Sequence, residues 1–301
     1  MEMKEVYNNI LNECRSYTKK GKVASYIPEL AKANPEYLSL YIISKESEIS
    51  VGDYNIPFTA QSIIKPIIFL LALQDVGLEK VRELVGVEAT GKPFDTFNYT
   101  DQALRNEHIN PMINAGAIAL CTLIKGNSYQ EKFNRLLCFT KKLTNNPALE
   151  IDEAVYFSEK KTGNKNRALA YMLNAYALID ENVEELTDFY FRACSIKVTC
   201  KDLANIAFIL SNHENCDIIS VEHAHYVNAI MMTSGMYDGS GEFALNVGIP
   251  AKSGVGGGIM AVVPKRMGIG VYSPALDEKG NSLAGKKLLE LLSKKESWSV
   301  F

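Results

Sequence analysis

Apolar and polar positions follow two different periods along this chain, and the change from one to the other marks out its architecture. Residues 1–20 read as an amphipathic helix. Leu38 to Ser44 (LSLYIIS) is a β-rich run and Glu48 to Val51 a return strand, which together predict a hairpin. Gly52-Asp53 and Pro57 punctuate the chain before an apolar helix expected from about Ser62 to Asp75. From about residue 76 to 210 the period is helical, with few strand signals; Ala115 to Ile124, Asn166 to Ile179 and Val198 to Leu210 are examples. Ile259 to Val263 (IMAVV) and Met267 to Tyr272 (MGIGVY) are strand-like runs on either side of Pro264-Lys265, and Ala284 to Leu292 reads as a closing helix.

Strands therefore stand at the two ends of the chain with a helical block between them. The economical solution is an α/β (α+β) fold in which one antiparallel sheet is built from both chain ends and flanked by helices. This predicts a discontinuous sheet-containing lobe, residues 1–75 and 211–301, and a helical lobe, residues 76–210, within one compact unit. A cleft between such lobes is where a small-molecule site is expected.

Composition narrows the function classes. The chain has 301 residues, 47% hydrophobic and 22% charged, enough for a sizeable core. A net charge of −3 supplies no long-range attraction for nucleic acid, and the lysine pairs (Lys19-Lys20, Lys141-Lys142, Lys294-Lys295) read as solvated faces. Met1 to Lys20 is polar, unlike a signal peptide. The most apolar run, Ile63 to Leu73, contains Lys65 and Pro66 and is too short to span a bilayer. The expectation is a cytoplasmic protein with no membrane partner. Six cysteines (Cys14, Cys121, Cys138, Cys194, Cys200, Cys216) lack the paired spacing of a zinc or redox motif and are expected as reduced, buried thiols. His223-x-His225 lacks a third ligand at a convincing spacing, so no metal and no cofactor is expected.

The chemistry sits elsewhere. Ser62-Ile63-Ile64-Lys65 is a Ser-x-x-Lys tetrad at the start of an apolar helix, with hydroxyl and amine about one turn apart on one face. Pro66 is tolerated because it falls in the first turn, where backbone N–H groups have no intrahelical partner. Lys252-Ser253-Gly254, followed by Val255-Gly256-Gly257-Gly258, resembles the Lys-Thr-Gly element of serine β-lactamases and penicillin-binding proteins, which also carry Ser-x-x-Lys. That superfamily's Ser-Asp-Asn element is absent between the two. An acyl-transfer serine enzyme is the reading these elements favour. A β-lactamase-like amidase or esterase and a catalytically silent binding protein stay open beside it.

Longer blocks make the resemblance specific. Gln61 to Lys65, Asn110-Pro111-Met112-Ile113-Asn114-Ala115-Gly116-Ala117-Ile118, Ser158-Glu159 with Asn166-Arg167, and Asp188-Phe189-Tyr190-Phe191 with Cys194-Ser195 all resemble the glutaminase family. So do Gly235-Met236-Tyr237-Asp238, Gly248 to Val255, Gly21 to Ala24 with Tyr26-Ile27-Pro28, and Ser273-Pro274 with Leu276-Asp277. The likeness runs from about residue 20 to about 292, and the tail around Trp298 carries little of it.

The resemblance implies a serine β-lactamase-like fold and hydrolysis of L-glutamine to L-glutamate and ammonia through a γ-glutamyl ester on Ser62. It implies Lys65 as general base, the backbone N–H groups of Ser62 and Val255 as oxyanion hole, and Tyr237 as a proton relay beside the nucleophile. Substrate contacts are expected from Glu159, whose carboxylate suits the α-ammonium, and from Asn114, Asn166, Tyr190, Tyr26 and Gln61. Asn114 is also expected to cap the helix that follows it. A homodimer or homotetramer is implied as the assembly.

Overall fold

In the computed structural model residues 3–89, 109–211 and 217–301 are described. Among these the chain forms α1 (Met3–Cys14), β1 (Ser39–Ser44), β2 (Glu48–Gly52), β3 (Phe58–Thr59), α2 (Ile64–Leu84), α3 (Asn114–Thr122), α4 (Tyr129–Thr144), α5 (Glu153–Thr162) and α6 (Asn164–Ala175). It continues through α7 (Val183–Cys194), β4 (Lys197–Val198), α8 (Cys200–Ser211), α9 (Val221–Ser234), α10 (Ser240–Asn246), β5 (Ala251–Ser253), β6 (Gly258–Val263), β7 (Met267–Tyr272) and α11 (Leu283–Glu296).

Five strands form one antiparallel sheet in the order β2-β1-β7-β6-β5, so the first and last parts of the chain meet at the β1–β7 pair. Both faces of this sheet are covered, and the strand period sorts the side chains between them. Leu40, Ile42, Ile259, Ala261, Val263, Ile269 and Val271 join Leu11, Leu288 and Leu292 of α1 and α11 in one core. Tyr41, Ile43, Met260, Val262 and Tyr272 point the other way, into a core continuous with α2, α3, α7 and α8. The central helices and the inner face of the sheet thus share a single apolar interior.

α8 lies directly on that inner face. β7 meets it with Gly268 and Gly270 instead of side chains: a Cβ at Gly268 would fall 2.0 Å from the Phe208 nitrogen, and one at Gly270 2.0 Å from the Cys200 carbonyl oxygen. The first ten residues of α2, Ile64 through Leu73, are all buried, and apart from Lys65 they are apolar on every side. The helix is longer than the apolar run suggests, with a non-helical break at Gly77 (φ 79°). Among the described residues Gln61–Leu84 is long and apolar enough to cross a membrane, but 72% of its most apolar window is buried inside the protein.

Two expectations are corrected. β4, which pairs with β3 in a two-stranded ribbon, lies in the stretch that gave few strand signals; strands of two residues are too short to show a period. Cys138 is exposed while Cys14, Cys121, Cys194 and Cys200 are buried, because α4 buries Phe133, Leu136, Phe139, Thr140 and Leu143 and turns Cys138 outward. Cys216 lies outside the described residues. In the tail, Trp298 is buried in the same core as α11, and Val300 N–H donates to the Gly248 carbonyl.

Gly270→Ala should destabilise the protein by about 1–3 kcal/mol, because α8 must lift off the sheet. Gly241→Ala, at a position in α10 with nothing within 4 Å of the new carbon, should leave stability equal or raise it by up to about 1 kcal/mol. Thermal unfolding of the two variants beside the parent checks this; equal melting temperatures for both would show that the flush packing of α8 is not required.

Candidate active site

The β3–β4 ribbon delivers the chain to the site. Ala60 N–H donates to the Ile196 carbonyl at 2.8 Å, and Gln61 then takes a left-handed conformation (φ 48°). This turn places Ser62 in a short 3-10 segment, Gln61–Ile63, that runs directly into α2. Lys65 follows one turn later and is fully buried. Its Nζ donates to the Asn114 Oδ1 at 2.6 Å and to the Met112 carbonyl at 3.1 Å. The Lys65 amine is held by the start of α3, one turn after Ser62.

Asn114 does not cap α3. Ile113 occupies the cap position without a side-chain bond, and Asn114 is the first helical residue. Its amide instead links two others, accepting from Lys65 and donating Nδ2–H to Asn166 Oδ1 at 2.8 Å. The capping rule is local, and a buried ammonium within reach competes more strongly for the same oxygen.

Across the cavity stands Tyr237, also left-handed (φ 52°). Non-glycine residues in this region cost about 1–3 kcal/mol each and collect at functional sites; here Gln61 and Tyr237 flank the same serine. The Tyr237 hydroxyl donates to the Ser253 carbonyl at 3.1 Å. Burial raises its phenol, while the Ser62 hydroxyl and the Val255 backbone N–H, both hydrogen-bonded to it, pull it down. Ser62, Tyr237 and the Val255 N–H thus converge on one point.

Lys252 is the residue that sequence reasoning missed. Its side chain is fully buried, and its Nζ lies 4.5 Å from the centre of the Tyr237 ring. Nζ donates to the Ser253 carbonyl at 2.5 Å and to the Gly235 carbonyl at 3.2 Å. Ser253 O therefore accepts from Tyr237 and Lys252 together. Burial, then the charge of Lys65, pushes the Lys252 amine well below the ordinary lysine range. The signal lay in the Lys-Ser-Gly element itself.

These groups open onto a cavity of about 960 Å³. Tyr26, Gln61, Ser62, Asn114, Glu159, Asn166, Tyr190 and Val255 line it, whereas Lys65 and Tyr237 are outside its lining. Tyr26 is 59% exposed; its segment is held by Ala24, Ile27 and Leu30, which pack with Val155, Tyr237, Val255 and Leu276 in a small separate cluster. The exposed side chains of Lys20, Lys22, Lys165 and Lys279 belong to the lining too, together with Asp238, Asp277 and Glu278, a fringe of mixed charge. His223 and His225, on α9, are not part of it.

Glu159, on α5, is the acidic group buried in this cavity. Gln61 Nε2 donates to its Oε2 at 3.5 Å. Burial pushes its carboxyl up to about 8, against the downward pull of the Gln61 amide and the Lys65 charge. Without a ligand cation, Glu159 holds its proton at neutral pH.

A serine just before a buried helix, a buried lysine one turn on, and a tyrosine beside the serine stand in a hydrolase of the serine β-lactamase-like fold. Comparison with known proteins narrows the class. The glutaminase family model matches residues 21–301. The chain is 50% identical to a glutaminase of Clostridium tetani, covering 99% of this chain and all of that one. It is 49% identical to a glutaminase of Clostridioides difficile, covering 97% and 96%. Among solved structures, a probable glutaminase of Bacillus subtilis complexed with 6-diazo-5-oxo-L-norleucine superposes with a TM-score of 0.91 at 36% identity, covering 100% of this chain and 97% of that one. A covalent complex of a Bacillus subtilis glutaminase with 5-oxo-L-norleucine superposes with a TM-score of 0.91 at 35% identity, with both chains fully covered. The chain belongs to the glutaminase family, and it is an enzyme acting on an amide C–N bond. The match includes the tail around Trp298, where the quoted motifs gave out.

Between pH about 4.5 and about 8 the native state keeps a proton on Glu159 that the unfolded chain has released. Stability is therefore lost as pH rises through that window and levels off above it. Glu159→Gln removes this penalty, so its melting temperature relative to the parent should climb by several degrees between pH 5 and pH 8. A pH-independent difference would show that Glu159 is ionised in the free enzyme.

Proposed function

We propose that the enzyme hydrolyses L-glutamine to L-glutamate and ammonia through an acyl-enzyme on Ser62, with Lys65 as general base. The observation that carries this is Lys65, fully buried one turn from Ser62. A lysine in water keeps its proton in all but about one molecule in a few thousand at pH 7. Desolvation disfavours a buried ammonium in general, and a second buried lysine, Lys252, lies close enough to feel the charge of Lys65.

In the first step Lys65 takes the Ser62 proton as Oγ bonds to the side-chain amide carbon of glutamine. The resulting oxyanion accepts from the backbone N–H groups of Ser62 and Val255, each worth roughly 3 kcal/mol of barrier. Tyr237 passes a proton to the amide nitrogen and takes one back from Lys65, the C–N bond breaks and ammonia leaves, so that Lys65 is neutral again and Tyr237 protonated. Water then adds to the γ-glutamyl ester, Lys65 again accepting the proton, and glutamate departs as Ser62 recovers its hydrogen. The Bacillus subtilis covalent complex supports a nucleophilic route: the ketone of 5-oxo-L-norleucine stands where glutamine has its side-chain carbonyl.

The α-amino-acid end falls to Glu159 for the ammonium, with Asn114, Asn166, Tyr190, Tyr26 and Gln61 supplying hydrogen bonds. Binding of the ammonium draws the Glu159 proton off, since a charged pair replaces a lone buried charge. The reading includes a cytoplasmic homodimer or homotetramer with sheet-bearing and helical lobes, residues 1–75 with 211–301 and 76–210, either side of the cavity.

The direct test is ammonia release from glutamine, asparagine and a chromogenic β-lactam, with glutamine expected to be the substrate turned over. Ser62→Ala should abolish turnover, and 6-diazo-5-oxo-L-norleucine should add mass to Ser62 in the parent and not in the variant. Labelling at a cysteine instead would sink the serine route. Lys65→Arg keeps the charge but holds its proton, so kcat should fall by at least about 10²-fold; near-parental activity would reduce Lys65 to an electrostatic role. Glu159→Gln should lower kcat/KM on glutamine by roughly one to two orders of magnitude while narrowing the gap to N-acetylglutamine. Simple additivity of the two losses would show that Glu159 does not read the α-amino group.

A further inference from the structure

Asn110 is absent from the cavity lining and plays no part in the reaction just described. It is nonetheless 1% exposed, and its side chain is fully engaged. Its Oδ1 accepts the Met112 N–H at 2.9 Å, closing a tight Asx turn over Asn110-Pro111-Met112. Its Nδ2 donates to the Glu88 carbonyl at 2.9 Å and to the Ser234 hydroxyl of α9 at 3.4 Å. The Asn110 carbonyl presses on α3 at Gly116, where a Cβ would fall 2.0 Å from it. One turn is thus fastened from within, from the segment before it, from α9 and from α3. What it presents inward is the Met112 carbonyl, 3.1 Å from the Lys65 amine.

We infer that Asn110 is a positioning residue for the reaction: by holding the Met112 carbonyl it aims the Lys65 amine at Ser62. The inference rests on the reading of Lys65 as base. A lysine amine sits on a flexible four-carbon stem, so burial alone does not give it a direction. Two acceptors do. Asn114 Oδ1 is one, and it has its own link to Asn166. The Met112 carbonyl is the other, and Asn110 is what sets it. The titratable groups that face Lys65 electrostatically are Glu159 on α5, Cys194 on α7 and Lys252 on β5; none of them touches the Asn110 turn through a hydrogen bond among the described residues.

The experiment compares kcat, KM and the pH–rate profile for glutamine in the parent, Asn110→Ala, Asn110→Ser and Lys65→Ala, with melting temperatures for all four. Serine keeps a side-chain oxygen that closes the same kind of turn, though more weakly, and loses the reach to Glu88 and Ser234. Asn110→Ala should lower kcat by about 10- to 100-fold, the scale of an ångström's misplacement of a reacting group, with KM within about threefold. Its ascending pH limb should move to lower pH, since an ammonium that loses an acceptor gives up its proton more easily. Asn110→Ser should recover most of kcat and the parental profile, even if its melting temperature falls as far as that of Asn110→Ala. Equal losses of kcat in the two variants, an unmoved pH limb, or an effect on KM alone would overturn the inference. If Lys65→Ala keeps parental kcat, the base assignment falls on its own account. If Lys65→Ala is dead while Asn110→Ala is unimpaired, only the role of Asn110 falls.

Discussion

An ammonium group taken out of water must find acceptors, and much of this molecule is arranged around that demand at Lys65. The helix that carries it is buried for its first ten residues, so water cannot solvate the amine. The start of α3 supplies Asn114 Oδ1 and the Met112 carbonyl instead. That requirement turns Asn114 from a helix cap into a linker between Lys65 and Asn166. It also explains why α3 begins with small residues, Ala115, Gly116 and Ala117, which let the preceding turn approach closely.

A second lysine completes the electrostatics. Lys252 stands behind Tyr237, sharing the Ser253 carbonyl with it, and burial beside Lys65 drives its amine well below the ordinary lysine range. Two amines and a phenol thus surround one serine in a water-poor space. Burial favours the neutral form of both the Tyr237 phenol and the Lys252 amine. Glu159, held up at about 8 by burial, is the counterpart on the substrate side. Desolvation disfavours its charged form as long as no cation stands beside it.

The sheet supplies the rigidity these contacts need. β5, which carries Lys252 and leads to Val255, is stitched to β6, and β7 joins it to β1 from the other end of the chain. The glycines of β7 bring α8 flush against the inner face, and the β3–β4 ribbon on that side delivers the chain to Ser62. The strand leading to Val255 and the helix carrying Lys65 are therefore joined through β6, whose Met260 and Val262 share a core with α2.

The residues alone determined what depends on local spacing. Strand periods at both ends of the chain specified the hairpin β1–β2 and the pair β6–β7, and the Ser-x-x-Lys interval placed hydroxyl and amine on one face of a helix. Family motifs then carried the activity and the lining of the cavity. The tertiary structure decided whatever hangs on partners distant along the chain. Asn114 obeyed Lys65, 49 residues away, over the capping rule; Lys252 became a neighbour of Tyr237 through its ring; and Cys138 turned to solvent because α4 buries its other face. Glu159 owes its raised carboxyl to enclosure by several elements at once. Period and spacing are properties of neighbouring residues, whereas desolvation depends on everything that packs around a group, and only the folded chain brings that together.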